Sequence, residues 1–515
     1  MPDNQHAFEQ ALQLLTLQQT SSPEATQAVS TLAESSKSHP DLRTQLADPR
    51  VLGPLIEIVK HTVETDDPTT TSSALRCMGN ACIDNDAARS TITAAGFAWA
   101  YQCLHSNNDE LRWLAVKVLY NICSDHEAAQ LQCYREHIHY DLISICASPL
   151  ASASDDRSLI IDLLFWITSQ KANITDTEQA TEPLPSETLL KLLNLPSYYF
   201  AASVVLDDFA TLLEICLPFL RDPHTQTQIV ESHRAGYVWQ MLQDIANRIA
   251  LRRSNSPAAA KPPEETVQVL RPYASSLIWI LSDIAANPKF AAKYDLNDSW
   301  IHGLLQTIKN GAIKVAVVDS EIHLVDKSEL GQRLYREARS SRAVSQHSMD
   351  DMNVGQLLRT ASCQIIGNLL WALPPQRATP LIETDKIHEA LWQILSPPSS
   401  SSVSEIEVEV EIEVEAEANN VEADLTYSAT SLLIQLTRPS QHVRELIGAA
   451  YRAKDALTAL CEHKTPQIQQ MGIKLLRALG KECPLNQERF GGLAAHLTAT
   501  AAAATAEDAP VANGA

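Results

Sequence analysis

Three pairs of residues carry side chains that could take part in acid–base or metal chemistry. His137 and His139 lie two positions apart, and Asp155–Asp156 and Asp207–Asp208 are adjacent carboxylates. Residues one or two positions apart on a helix point to different sides, so neither spacing brings two side chains onto one ligand. The pairs therefore predict helix caps, solvated faces or core positions rather than a catalytic or metal site.

The sequence also lacks the short motifs through which catalytic residues are usually recognised. It contains no phosphate-binding loop of the G-x-x-x-x-G-K-S/T or G-x-G-x-x-G type, no H-E-x-x-H and no G-x-S-x-G. We therefore expect no catalytic residues, no metal site and no cofactor. The pattern favours a binding or regulatory protein, with a hydrolytic enzyme as the less favoured class.

A local pattern repeats along the chain and predicts how it is organised. When Leu75–Asp84 is shifted by 41 residues onto Val116–Asp125, Asn80 meets Asn121, and the Cys and Asp residues that follow also coincide. A period of about 41 residues is typical of armadillo and HEAT repeats. Low contents of aromatic residues (5%) and glycine (15 residues) argue in the same direction, against a sheet-rich fold.

Similar apolar runs with a polar residue at the same place recur around Glu214, Asp283 and Asn368. Each run has helical spacing and is followed by a polar break and a further helical run. A single helix pair cannot bury its own apolar face, whereas stacked pairs form one continuous core. The sequence therefore predicts an all-α fold, a right-handed armadillo/HEAT-type α-solenoid of about 8–9 repeats.

The repeats are interrupted by segments of different composition, which define the predicted domains. We predict an N-terminal helical cap at 1–44, armadillo repeats at 45–395 with polar insertions near 252–265 and 320–353, an acidic low-complexity loop at 396–424, C-terminal armadillo repeats at 425–495 and a disordered tail at 496–515.

Two of these segments are strongly charged. The insertion at 320–353 carries Arg333, Arg336, Arg339 and Arg342 at helical spacing. In the acidic loop, glutamates occupy every second position of 405–417, alternating with Ile and Val over most of its length. Alternation of period two is typical of a strand, but the glutamates repel each other and no partner strand is evident. The composition favours a solvated loop, and an ordered strand is the alternative.

The overall charge restricts the kinds of partner. The 40 Lys and Arg residues against 62 Asp and Glu residues leave a net charge of −22. Such a chain is a poor general binder of nucleic acid, whose phosphates require cations, and it suits a partner that carries positive charge. No apolar run is long enough to cross a membrane. Ten cysteines without a C-x-x-C motif and no secretory leader predict a reducing, cytoplasmic location.

The polar residues at the repeated position are the candidate partner-binding residues: Asn80, Asn121, Glu214, Asp283 and Asn368. In armadillo arrays the third helix of each repeat lines a concave groove, and polar residues on it point into that groove. An asparagine amide both donates and accepts hydrogen bonds, so it can bind a partner or, alternatively, the adjacent repeat. Both interpretations are open for the asparagines, whereas the carboxylates favour a partner-facing role.

The chain resembles the armadillo-type GDP-dissociation stimulators of small GTPases, the SmgGDS family. The run Arg76–Asp84 is similar to an early repeat of that family, and Glu214–Pro218 is similar to a helix with an acidic residue four before a proline. Gly367–Leu369 and Pro466–Leu479 are similar to a central and a late repeat. The likeness covers about residues 45–490 at low identity. The two charged insertions, and Trp166 where an asparagine is expected, depart from the family pattern.

The resemblance implies a non-catalytic protein that binds Rho- and Ras-type GTPases with polybasic, sometimes prenylated C-termini. Such proteins promote GDP release and escort the GTPase. On this analogy the contact runs through Glu214, Asp283 and Asn368, with Asn80 and Asn121 as further candidates. Two alternatives are an ataxin-ten-like adaptor without exchange activity and an importin-α-like cargo receptor, although Trp and Asn rarely fall at the Trp-x-x-x-Asn spacing of the latter.

Overall fold

The computed structural model describes residues 2–16, 23–148, 157–174, 184–200, 206–254, 264–310, 352–396 and 412–507. Within these ranges every regular element is a helix and no strand occurs, which confirms the predicted all-α solenoid class. The chain forms two compact units: among the described residues, unit 1 ends at Thr225 and unit 2 begins at Gln226. None of the described helices is long and apolar enough to cross a membrane.

The helices of unit 1 are short and closely spaced. They are α1 (Pro2–Thr16), α2 (Pro23–Ser38), α3 (Arg43–Leu46), α4 (Pro49–Glu64), α5 (Pro68–Ala81), α6 (Asp86–Ala95), α7 (Ala98–Leu104), α8 (Asp109–Cys123), α9 (Glu127–Arg135), α10 (Ile138–Cys146), α11 (Arg157–Ser169), α12 (Ser186–Phe200) and α13 (Leu206–Leu220). The next helix, α14 (Pro223–Glu231), crosses the boundary between the units.

Unit 2 continues with longer helices. They are α15 (Ala235–Ser254), α16 (Glu264–Ala286), α17 (Phe290–Lys293), α18 (Ser299–Asn310), α19 (Met352–Ala372), α20 (Thr379–Glu383), α21 (Ile387–Leu395), α22 (Ile412–Leu436), α23 (Gln441–Ala449), α24 (Ala453–Cys461), α25 (Pro466–Gly480) and α26 (Pro484–Glu507). Three short 3-10 helices, Pro40–Leu42, Gln170–Asn173 and Pro375–Ala378, join elements within the units.

One helix of each repeat packs directly on its counterpart in the next repeat, and we call these the third helices. In unit 1 the third helices are α2, α5, α8, α11 and α13, and each contacts the next. In unit 2 they are α16, α19, α22 and α25, again in consecutive contact. The described part of the chain thus holds nine third helices, in agreement with the predicted number of repeats.

The 41-residue repeat preserves backbone geometry as well as residue type. Asp84 and Asp125, which coincide when the two sequences are shifted, adopt left-handed φ angles of 53° and 52° after their third helices. Asparagine and aspartate tolerate this conformation better than most residues. The next residues cap the following helices: the Asn85 side chain accepts from the backbone N–H of Ala88, and His126 Nδ1 accepts from that of Ala129, both at 3.1 Å. The same turn therefore follows both of these third helices and starts the next repeat.

All ten cysteines of the chain lie in described segments, and all are buried as free thiols. Cys77 on α5 and Cys216 on α13 are fully enclosed, and burial raises the pKa of both thiols. A thiol that stays protonated is a poor nucleophile and packs as a small apolar side chain. The cysteines thus belong to the core, and the cellular compartment stays a prediction.

The predicted acidic loop differs from the structure in its second half. Residues 397–411 lie outside the described residues, but α22 is already helical from Ile412, so 412–424 is not a loop. Glutamate and alanine, which dominate this stretch, are strong helix formers. The helix also continues directly from Leu425 and Leu432, which are buried in the core of unit 2. An anchored helix of favourable composition extends further than alternation of period two suggested.

The predicted disordered tail is also shorter than expected. Helix α26 continues to Glu507, so residues 496–507 are helical and only 508–515 lie outside the described residues. Alanine has the highest helix propensity of all residues, which favours continuation of the helix. Most of the two predicted insertions, 252–265 and 320–353, lies outside the described residues, which omit 255–263 and 311–351. The last residues of each insertion are helical, because Glu264 begins α16 and Met352 begins α19.

The close approach of α24 and α25 gives a testable consequence for stability. A Cβ atom at Gly472 would lie 2.8 Å from the carbonyl carbon of Leu460 and 2.9 Å from the amide nitrogen of Cys461. Because both are backbone atoms, Gly472→Ala should destabilise unit 2 by about 1–3 kcal/mol. Urea unfolding followed by circular dichroism measures the change.

The matched control is Gly491→Ala on α26, where an added Cβ meets no atom within 4 Å. This variant should gain up to about 1 kcal/mol, since alanine favours a helix more than glycine does. Equal stability of the two variants would contradict the packing of α25 on α24.

Candidate partner-binding surfaces

The five candidate residues occupy the same position on five third helices, which we call the ladder position. Asn80 lies on α5, Asn121 on α8 and Glu214 on α13, all in unit 1. Asp283 lies on α16 and Asn368 on α19, both in unit 2. The residues are thus distributed along two helix stacks rather than gathered into one cluster.

The asparagines join neighbouring third helices. Asn121 Nδ2 donates a hydrogen bond of 3.2 Å to the backbone carbonyl of Gly79, the residue before Asn80. In unit 2, Asn368 Nδ2 donates one of 3.1 Å to the carbonyl of Ser282, the residue before Asp283. The register is the same in both units. The amide of each ladder asparagine therefore links its third helix to the preceding one.

Asn80 makes a related bond at the start of the stack. Its Nδ2 donates to Ser36 Oγ on α2 at 2.9 Å. Gly79 allows the next link, because its missing side chain leaves room for Val118 and for the Asn121 amide, 3.3 and 3.7 Å from where a Cβ would stand. A primary amide has a second N–H and a carbonyl oxygen, so this structural role and partner binding are compatible.

The two carboxylates at the ladder position are exposed. Glu214 on α13 and Asp283 on α16 both face water, whereas the asparagines are half-buried. Seven residues before Glu214, on the same side of α13, lies the exposed Asp207. The ladder position is therefore polar in two ways, with amides where helices are joined and carboxylates where the surface is open.

Further carboxylates lie near the start of α13 in unit 1. Asp208 lies in the first turn of α13 beside Asp207, and its Oδ2 accepts from Ser158 Oγ on α11 at 3.1 Å. Asp162 on α11 is half-buried, and burial together with the charge of Asp208 raises its pKa. The α11–α13 end of unit 1 is consequently an acidic surface, which we define by Asp162, Asp207, Asp208 and Glu214.

Trp166 replaces the expected asparagine on α11 and joins the helices differently. Its ring packs against the ring of Tyr120 on α8, with centroids 4.8 Å apart. Aromatic pairs at this separation contribute about 0.5–1.5 kcal/mol beyond the area they bury. The contact between α8 and α11 is therefore aromatic where the contact between α5 and α8 is an amide–carbonyl bond.

The structure also shows a surface that the sequence did not indicate. Trp279 on α16, Trp371 on α19 and Tyr427 on α22 are 64%, 69% and 46% exposed, although large aromatic residues in helical runs are normally core. Trp279 lies four residues before Asp283 and Trp371 three after Asn368, while Tyr427 lies eight before Gln435, the residue at the ladder position of α22. At 100° per residue, all three therefore fall within about 80° of the ladder position on their helices. We call these three residues the aromatic face of unit 2. The spacing from the ladder position was the signal that could have found it.

A cation already occupies part of this face. The guanidinium carbon of Arg438, which follows α22, lies 5.4 Å from the centroid of the Trp371 ring. Arg438 Nη1 also donates to the carbonyl oxygens of Leu370 and Trp371, at 3.0 and 3.2 Å. The arginine thus binds the C-terminal end of α19 and covers one tryptophan at the same time.

Neither His139 nor the cavity beside α10 adds a further site among the described residues. His139 is buried and stacks on Tyr134, and burial lowers the pKa of its imidazole to about 3. A cavity of about 560 Å³ lies among α7, α8, α10 and α12, and its charges pair with one another. His105 Nε2 lies 3.4 Å from Asp141, and Lys191 Nζ lies 2.6 Å from Glu187. The described residues hold no group of three potential metal ligands.

Comparison with solved structures finds helical repeat proteins at low similarity. A structure from work on a phosphorylation switch between cadherin and beta-catenin is 10% identical, with 92% of this chain and 83% of that chain covered and a TM-score of 0.36. SYS-1 is 14% identical, with 94% and 87% covered and a TM-score of 0.35. A Kap121p structure is 12% identical, with 94% and 44% covered and a TM-score of 0.33. No protein-family model and no curated protein matches the sequence.

With identities and TM-scores this low, the fold assignment rests on the packing of the chain's own helices. Consecutive third helices, repeated turns and a continuous core define an armadillo/HEAT-type repeat protein. Such arrays present extended surfaces that bind other proteins. The fold is therefore of a class that commonly serves as an interaction scaffold, and the ladder residues and exposed aromatic residues lie on the third helices that carry such surfaces.

The structural role of the ladder asparagines can be measured directly. Asn121→Ala removes the bond to Gly79 and should lower the free energy of unfolding of the protein by about 0.5–1.5 kcal/mol. Asn107→Ala, an exposed loop asparagine of the same unit, should leave it unchanged within error. Thermal and urea unfolding of both variants provide the test, and equal stability of the two would mean that Asn121 does not join the helices.

Proposed function

We propose that the protein is a cytoplasmic, non-catalytic regulator of small GTPases of the Rho/Ras type. It binds the polybasic C-terminal segment of the GTPase through carboxylates of its third helices. It promotes release of GDP and escorts the GTPase, whose C-terminus can carry a prenyl group. The proposal adds to the armadillo/HEAT-type repeat fold the partner that the sequence resemblance implies.

One observation carries this proposal: the ladder position bears exposed carboxylates, Glu214 and Asp283, where other repeats bear asparagines. In unit 1, Glu214 belongs to an acidic surface with Asp162, Asp207 and Asp208. Burial raises the pKa of Asp162, and the charge of Asp208 raises it further. The second effect is a repulsion between like charges in the isolated protein. A basic partner segment relieves that repulsion and binds more favourably for it.

Nucleotide release requires no side-chain chemistry from this chain. A protein that binds the nucleotide-free GTPase more tightly than its GDP-bound form shifts the equilibrium toward release. The acidic third-helix surface supplies attraction to the basic segment, while the remaining third helices contact the GTPase domain. Electrostatic attraction of this kind acts mainly on the association rate and weakens as salt shortens the Debye length.

A second candidate function is that of an adaptor without exchange activity. It is favoured by the asparagine bonds, because the amides of Asn80, Asn121 and Asn368 are already used within the scaffold. Carboxylates then provide binding and nothing on the surface discriminates nucleotide states. The two functions differ in one measurable quantity, the rate of GDP release from a bound GTPase.

The test is a charge reversal at the two carboxylates. Glu214→Lys combined with Asp283→Lys should slow association with a Rho- or Ras-type GTPase and abolish stimulated GDP release, because the basic segment then meets repulsion. Helical content should not change, since both side chains face water. Stopped-flow association at low and high salt, together with release of a fluorescent GDP analogue, gives both quantities.

The matched control reverses two exposed carboxylates outside the third helices, Glu127→Lys on α9 and Glu488→Lys on α26. It changes the net charge by the same amount, so it separates a local contact from a general charge effect. If both double variants behave alike, the third-helix carboxylates are not the contact. If wild type binds GTPases without releasing GDP, the adaptor function replaces the regulator.

A further inference from the structure

The aromatic face of unit 2 is an open surface that the proposed function does not use. Trp279, Trp371 and Tyr427 lie on three consecutive third helices and together expose large ring areas. Exposed tryptophans are uncommon on a protein that binds nothing, because each leaves an apolar ring in water. They lie on the same side of their helices, at different levels along the helix axes.

Arg438 shows what kind of group this surface accepts. Its guanidinium lies over the Trp371 ring while its N–H groups are bound by carbonyl oxygens at the end of α19. A cation over an indole is held by the negative charge density of the ring face, and tryptophan is the strongest such acceptor. The arrangement is an internal example of a basic side chain bound on the aromatic face.

Trp279 presents a similar ring on α16. Among the described residues no cation lies over it, and it is 64% exposed. Asp283 lies one helical turn further along α16 and is also exposed, so a ring and a carboxylate stand side by side. Asp424 has the same relation to Tyr427 on α22, three residues apart with both side chains exposed. An aromatic ring beside a carboxylate is complementary to lysine or arginine.

We propose that the aromatic face of unit 2 binds an extended segment of a partner protein through its lysine and arginine side chains, with Trp279 and Asp283 as the principal site. Packed helices lie about 8–10 Å apart, and an extended chain advances about 3.3 Å per residue. Trp279 lies four residues before the ladder position and Trp371 three residues after it, so the two also differ by about 10 Å along the helix axes. Their rings therefore match basic residues about four positions apart. The inference shares with the proposed function only the basic partner segment. It adds the side chains that bind this segment, Trp279 and Asp283.

The experiment uses the full chain and labelled peptides, so that it does not depend on any GTPase. The binding probe is a short peptide with lysine and arginine at every fourth position in a glycine–serine background. A second peptide carries glutamine at the same positions. Fluorescence anisotropy should detect binding of the basic peptide and not of the glutamine peptide. Failure of a GTPase to bind in the earlier assay leaves this measurement unaffected.

Two variants locate the site and one variant controls for it. Trp279→Leu keeps an apolar side chain but removes the ring, and it should weaken binding of the basic peptide by between about threefold and thirtyfold. Asp283→Asn should weaken binding and reduce its salt dependence. Tyr451→Leu removes a 96% exposed ring of the same unit that lies on no third helix, and it should bind like wild type. Circular dichroism confirms that each variant is folded.

Three results would overturn the proposal. The first is unchanged affinity of Trp279→Leu, and the second is an equal loss in Tyr451→Leu, which would indicate unspecific contact with exposed rings. The third concerns the chain's own basic residues, which follow one another at 333, 336, 339 and 342. If the peptide binds only after these four arginines are replaced by glutamine, the chain itself and not a partner occupies the surface.

Discussion

The structure depends on one constraint: a short amphipathic helix pair cannot bury its own apolar face and must stack on a neighbour. Third helices meet this need by packing on one another in both units, and the contact demands close approach. Gly79 provides it in unit 1, where its missing side chain lets α8 approach α5. The ladder asparagines then use the proximity, because an amide that reaches a carbonyl on the next helix fixes the register of the stack as well as the distance.

This constraint also decides which side chains of the described residues remain on the surface. The core contains all ten cysteines and most aromatic residues of the described chain. What remains on the third helices is polar or aromatic by position: carboxylates at the α11–α13 end of unit 1, exposed rings on α16, α19 and α22 of unit 2. Both surfaces are complementary to positive charge, one through Coulomb attraction and the other through ring faces, and a net charge of −22 adds to each.

Several departures from the expected pattern have physical causes that local sequence does not display. Trp166 stands where an asparagine was expected, and its stacking on Tyr120 replaces an amide link by an aromatic one. The acidic stretch before Leu425 is helical because it extends a helix already anchored in the core, which outweighs the strand-like alternation of its side chains. The exposure of Trp279 is a further example, since an apolar run on a helix does not reveal how wide the buried stripe is.

The sequence by itself determined the helices, their repeat and the position of the polar ladder. These follow from spacing within a few residues and from local turns, such as the one that recurs at Asp84 and Asp125 in two successive repeats. Only the tertiary structure decided which ladder side chains are half-buried between helices and which are exposed. The bond from Asn121 spans 42 residues and the bond from Asn368 spans 86, so each depends on how far apart the repeats lie in the chain and how closely they pack. Glu214 and Asp283 occupy the same ladder position with carboxylates, which cannot donate to a backbone carbonyl, and both side chains face water.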